Sequence, residues 1–265
     1  MNLFSQDIHI HTKLSSCAGP TALAADYIRL AKAAGYSLIG FADHLWDSAV
    51  PGAPGWYVPQ NLAHVLSLHG ELRSIPKDGL EVRVGAECEY DLAARDIAIT
   101  EEAAAQLDFL LVPNSHTHIT NPGGRDDREA HAKYMMRAFY DILESKNARY
   151  VTAIAHPFLA VACPYPWQEL LPLYSDDEFR RAFRAAAECG IAMEFNPSTT
   201  AGMGMDEDSM RAHPCFRMFR IMKECGCRFT YGSDRHSATG YARHEKTERF
   251  AALVGIGDGD ILSIL

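Results

Sequence analysis

Asp7-Ile8-His9-Ile10-His11 forms the first apolar run of the chain and sets two histidines one residue apart. Side chains alternate along a strand, so Asp7, His9 and His11 are expected on one face, where two imidazoles can grip one metal ion. A lone His-x-His pair also arises by chance, and an inward histidine is often just a satisfied core residue. The rest of the chain decides between these readings. Short apolar runs, expected as strands at residues 7–10, 37–41, 80–86, 109–112, 150–155, 191–195 and 228–231, alternate with helical patterns from end to end. Helices are expected over 21–34, 128–145, 177–189 and 210–225, with Gly35, Gly190 and Gly226 as their stops. Seven strand-helix units predict an α/β fold built as a parallel barrel.

The residues at the strand ends point to chemistry. The second strand runs into Asp43-His44, the third into Glu87, the fourth into Asn114-Ser115-His116, and the fifth into His156-Pro157. The seventh runs into Gly232-Ser233-Asp234-Arg235-His236, and only the sixth lacks a strong ligand at its end, offering Glu194 and Asn196. His, Asp or Glu thus reaches one rim from six of seven strands, and loops rich in Pro and Gly come after them at 50–59, 121–125, 157–166 and 197–204. That is the rim where barrels build active sites. Carboxylates buried in such a ring need compensating cations, and metal ions are the economical answer.

Composition narrows the function classes. The chain has 265 residues, 48% hydrophobic and 22% charged, which suits one globular domain over residues 1–265. A net charge of -9 argues against gripping long nucleic acid, while small anions remain acceptable if a local cation receives them. No apolar run approaches a membrane span and no signal peptide is evident, so a cytoplasmic location is expected. Oligomeric state is not legible. Seven scattered cysteines do not form a disulfide framework. Twelve histidines are a dense supply of the side chain best suited to metals and to proton transfer near neutral pH.

Taken in order, Asp7-Ile8-His9-Ile10-His11-Thr12, Ala42-Asp43-His44, Gly85-Ala86-Glu87, Ser115-His116, Ala155-His156-Pro157 and Gly232-Ser233-Asp234-Arg235-His236 resemble the motifs of the PHP (polymerase and histidinol phosphatase) family. The resemblance spans about residues 7–236. It implies a distorted (β/α)7 barrel, similar to a TIM barrel, with the metal site at the C-terminal ends of the strands and up to three metal ions. It further implies one metal on His9, His11, Glu87 and Asp234, and a second on Glu87, His116 and His156. A third would lie on His44 and His236 together with Cys17, which stands where many relatives place a histidine or carboxylate. Cys17 is either that ligand or an unliganded small residue. Zinc, manganese and iron suit these donors alike.

The family's chemistry is phosphoester hydrolysis: a hydroxide shared by two ions attacks phosphorus while the metals neutralise the oxygens. Glu87 and Asp234 are then the catalytic carboxylates. His118 is the candidate proton donor and substrate contact, with a solvent-exposed loop histidine as the alternative. Arg235 and Arg125 are the candidate phosphate contacts, unless they pair with Asp126 or Asp127. Asp7 and Asp43 are candidates to orient ligand imidazoles, with ordinary strand-end capping as the alternative. His64, His69, His131, His213 and His244 are expected to be solvated. Trp46, Trp56, Tyr57 and Trp167 either line a pocket or pack the barrel mouth.

The expected function is hydrolysis of a small phosphomonoester, histidinol phosphate or a nucleotide-like substrate. Two alternatives stand beside it. An amidohydrolase-like metal hydrolase also begins with His-x-His, but a bridging group such as lysine is expected there on the fourth strand. A non-catalytic metal-binding scaffold would be expected to have lost several ligands.

Overall fold

The computed structural model describes residues 3–117, 127–160 and 163–264. Seven strands pair in parallel: β1 (Gln6–Ile10), β2 (Leu38–Leu45), β3 (Glu81–Cys88), β6 (Leu110–Pro113), β7 (Ala153–Ala155), β8 (Ala192–Phe195) and β9 (Phe229–Tyr231). A two-stranded hairpin, β4 (Tyr90–Asp91) and β5 (Asp96–Ile97), lies outside this sheet. Strand order follows chain order, and the sheet curls into a nearly closed barrel. The closing seam runs just beyond β9, where Asp234 N donates to His9 O at 2.7 Å and His11 N to Arg235 O at 2.9 Å. The distorted barrel expected from the sequence is therefore present.

Two apolar layers hold it together. Ile8, Leu38, Ala42, Phe109, Leu111, Ala153, Ala155 and Ala192 fill the barrel interior, while a larger layer packs the outer strand faces against the helices. Small residues dominate the interior because Phe109 occupies it: a Cβ on Gly85 would stand 2.4 Å from the Phe109 carbonyl and 2.7 Å from its ring. At the opposite end from the histidines, Leu262 N donates to Phe229 O at 2.8 Å, and Gln6 Nε2 donates to Leu262 O at 3.0 Å. The C-terminal segment thereby closes the barrel floor.

The structure refines several expectations. β2 and β3 run further than anticipated and carry Asp43, His44 and Glu87 inside the strands. Those residues still pair in register, His44 with Glu87. The helix expected over 210–225 is two helices, Glu207–Ala212 and Pro214–Glu224, because Pro214 cannot continue the first and His213 caps the second. The segment 61–75 likewise holds two short helices, Leu62–Leu66 and Leu68–Leu72.

Asp7 does not share the face of His9. The β1–β2 register slips between Asp7 and Ile10, so one extra residue is accommodated and the alternation resets. Asp7 points outward, accepting from Tyr241 Oη at 2.8 Å and from Ser233 N at 2.9 Å. It fixes the seam backbone and touches no imidazole ring.

Replacing Gly85 with alanine should lower stability by about 1–3 kcal/mol, because the new methyl meets backbone and cannot be relieved by a rotamer change. Urea unfolding of Gly85→Ala beside wild type measures this, and an unshifted midpoint would mean that the interior tolerates the extra volume.

Candidate metal centre

Each candidate ligand except Cys17, which lies in the first loop, sits in a strand or just after one at the rim. His9 and His11 leave β1, His44 and Glu87 lie in β2 and β3, and His116, His156, Asp234 and His236 come after β6, β7 and β9. His156 and Asp234 take positive φ, 28° and 52°, a left-handed backbone that costs a non-glycine residue energy and is typical of functional sites.

The first group is tight. His9 Nε2 stands 3.1 Å from His11 Nε2 and 3.5 Å from Glu87 Oε2, and His11 Nε2 stands 3.5 Å from Glu87 Oε2. Asp234 Oδ1 lies 3.1 Å from His11 Nε2 and 3.7 Å from His9 Nε2. A tetrahedral ion with bonds of about 2.0–2.1 Å holds its ligand atoms about 3.3–3.4 Å apart, a spacing near that of His9, His11 and Asp234, while Glu87 Oε2 borders both rings. The other oxygen of Glu87 faces a second group, with His156 Nε2 at 2.9 Å and His116 Nε2 at 3.5 Å. In a third group, Cys17, His44 and His236 offer donor atoms within 4.8 Å of one another and of His11.

The partners behind the rings make the donor set firm. His9 Nδ1 meets Glu194 Oε1 at 2.6 Å, and His116 Nδ1 meets Glu89 Oε2 at 2.8 Å. His11 Nδ1 meets Ser15 Oγ at 2.9 Å, and Ser15 in turn donates to Asp43 Oδ1 at 2.6 Å. His156 Nδ1 meets Ser115 Oγ at 2.7 Å, while that hydroxyl donates to His156 O at 3.2 Å. With acceptors behind them, all four Nδ1 atoms carry hydrogen, and in the neutral rings all four Nε2 lone pairs point inward. His44 is turned the other way: its buried Nδ1 sits 3.0 Å from Glu87 Oε2 yet has no hydrogen-bond partner. Bare lone pairs facing buried carboxylates demand a cation, so this residue set fits divalent metal.

The electrostatics agree. Burial works against charge on His9, yet Glu194, Glu87 and Asp234 together hold its pKa well above the usual histidine value. Burial and then His44 push His11 down to about 3. Burial opposes ionisation of Glu87, but His9, His116 and His44 hold it well below the usual carboxylate range. Burial also opposes the Cys17 thiolate, and hydrogen bonds to His236 and His44 bring the thiol down to about 7.

Of the residues expected in the site, His9, His11, Cys17, His44, Glu87, His116, His156, Asp234 and His236 converge at the rim. Arg235 lines a neighbouring cavity, whereas His118 and Arg125 lie outside the described residues. Asp43 reaches His11 through Ser15. Trp56 and Tyr57 line a cavity of about 160 Å³ over the candidate metal ligands, and Trp56 and His44 meet edge to face with ring centroids 5.2 Å apart. Trp46 is buried against Tyr57. His131 is buried rather than solvated, with Cys163 Sγ 3.6 Å from its Nδ1, and His64 is half-buried, its Nε2 meeting Leu14 O at 2.9 Å. Glu194, Glu89 and Ser115 are anchors whose roles the sequence pattern does not reveal. Glu194 interrupts the apolar strand Ala192–Phe195, and Glu89 stands two residues after Glu87, the strand period.

No protein-family model matches the chain. A curated protein of Aeromonas hydrophila named "Probable phosphatase" is 25% identical over 260 residues, covering 98% of this chain and 89% of that protein. A protein of the same name from Shewanella frigidimarina is 28% identical over 256 residues, with 95% and 86% covered. Among solved structures, histidinol phosphate phosphatase from Lactococcus lactis, complexed with zinc, L-histidinol and phosphate, superposes with a TM-score of 0.64. Its identity to this chain is 18%, over 94% of this chain and 92% of that one. Relatives, barrel and rim together bear out the resemblance to the PHP family. The class they define is that of metal-dependent phosphoric ester hydrolases.

Two outcomes test the centre. Glu194→Gln should weaken metal affinity about 10–100-fold by loosening His9, measured by chelator competition. Binding must also displace the protons that the carboxylates hold on His9, raised well above the usual value, and on His44, which Glu87 lifts to about 10 against burial. Zinc affinity should therefore rise with pH from 6 to 9. A flat profile would contradict the protonation assigned to these rings.

Proposed function

We propose that the protein hydrolyses a small phosphomonoester, with histidinol phosphate or a mononucleotide as the leading substrates, on two or three divalent ions. The observation that supports this most is the division of Glu87 between two ligand groups, Oε2 toward His9, His11 and His44, and Oε1 toward His116 and His156. A carboxylate so placed suits paired ions, the arrangement that phosphoryl transfer exploits. When bound, such ions supply Lewis acidity toward phosphoryl oxygens and lower the pKa of water.

The chain's own residues supply the rest. Glu194, Glu89, Ser15 and Ser115 hold hydrogen on the Nδ1 atoms of His9, His116, His11 and His156, so that in the neutral ring each Nε2 is the atom left to bind an ion. Tyr57 Oη donates to Glu89 at 2.6 Å and steadies that anchor. Trp56, 44% exposed beside the cavity, offers a flat apolar surface to an organic leaving group and shields the site from water. His44, His236 and Cys17 surround the same cavity and suit a third ion.

Among the described residues no helix is long and apolar enough to cross a membrane. The histidinol and phosphate named for the Lactococcus lactis structure favour a small substrate, and the net charge of -9 disfavours long nucleic acid.

Purified protein supplied with zinc or manganese should release phosphate from a panel that includes histidinol phosphate and mononucleotides, with short oligonucleotides as the contrast. Exhaustive chelation should abolish the activity and added metal restore it, while Glu87→Ala and His116→Ala should each lose roughly a hundredfold or more. Full activity after chelation would sink the proposal.

A further inference from the structure

A second cavity, of about 400 Å³, opens beside the metal centre and is lined by Asn196, Ser198, Ser233, Arg235, His244 and Lys246 among others. Asp234 borders both this cavity and the smaller one over the metal ligands. The partition between them is therefore a carboxylate that an ion in the first group would neutralise.

The cations of the larger cavity are not used up by acids. Lys246 Nζ is held by the Met203 carbonyl at 2.8 Å, which positions the ammonium without cancelling its charge. Arg235 forms no ion pair among the described residues. Glu248, the carboxylate nearest in sequence to Lys246 on its C-terminal side, is engaged by Arg243 at 2.6 Å. Burial and then the charges of Arg235 and Lys246 push the pKa of His244 down, which places both cations within electrostatic reach of one ring. Two like charges that converge on a polar cavity repel each other until an anion enters between them.

We propose that this cavity seats a second anionic group of the substrate, a carboxylate or a second phosphate, while the phosphomonoester lies at the metal centre. The inference rests on the phosphatase function proposed above and adds a substrate class to it. A fork of guanidinium nitrogens with a neighbouring ammonium suits either anion.

Matched substrates test it on the metal-loaded, full-length protein. The carboxylate arm compares 3-phosphoglycerate with glycerol 3-phosphate, and the phosphate arm compares fructose 1,6-bisphosphate with fructose 1-phosphate. In at least one arm the doubly anionic member should be favoured about tenfold or more in kcat/KM, mainly through KM. The arm that shows it identifies the anion. Lys246→Met should remove most of that preference and Lys246→Arg should keep it. Equal kcat/KM within both pairs, or a preference that Lys246→Met leaves intact, overturns the proposal. If neither member of either pair turns over, the phosphatase function itself is in question, and calorimetric affinities of wild type for the same four compounds still read the cavity. Equal affinities would then overturn the inference, whether or not the variant folds.

Discussion

Glu87 is the constraint on which the rest of the structure depends. The residue is 2% exposed and its carboxylate faces five imidazoles from around the barrel rim. An isolated carboxylate at that depth would cost several kcal/mol, and every nearby histidine would be equally expensive if charged alone. Only their combination with cations makes the burial tolerable. The parallel barrel is what allows it, because each strand end delivers one or two donors to a common point and the backbone is already satisfied by its neighbours.

Holding a donor set open for a metal needs a second ring of residues, and these are also strand products. Glu194 comes from the middle of β8, and Glu89 is the residue just past the end of β3. Glu194 serves two strands at once, taking His9 Nδ1 on one oxygen and His156 N at 2.8 Å on the other. A Cβ on Gly232 would stand 2.0 Å from Glu194 Oε1, so the glycine before Ser233 and Asp234 is required by this anchor. The Gly232-Ser233-Asp234-Arg235-His236 motif thus combines close approach, seam closure and candidate metal donors in five consecutive residues.

Much of this was legible in the sequence because its signals are local. Seven apolar runs, glycine stops and a donor after almost every strand suffice to expect the barrel and the set His9, His11, His44, Glu87, His116, His156, Asp234 and His236. What escaped depends on distance in sequence or on a departure from regular geometry. Ser15 matters only because the first loop folds back beneath His11, and the break at Pro214 matters only because His213 caps the next helix. The outward turn of Asp7 illustrates the second kind. A period of two cannot reveal a slipped register, and one slipped residue moves a side chain from the site to the outer layer.

The two cavities divide the work of recognition in a way the ligand count alone would not suggest. Ions at the rim can attract any phosphate, so they discriminate poorly between one phosphomonoester and another. Discrimination has to come from what lies around the phosphate. On one side Trp56 and Tyr57 offer aromatic surface, and on the other Arg235 and Lys246 offer positive charge. Asp234 stands between them as a candidate metal donor and as part of the polar wall. Occupancy of the metal centre therefore affects the charge of both sides, because a bare Asp234 would oppose an anion entering beside Arg235. An ion bound at His9, His11 and Asp234 would remove that opposition, so under the proposed function metal loading would be a condition for reading the substrate as well as for cleaving it.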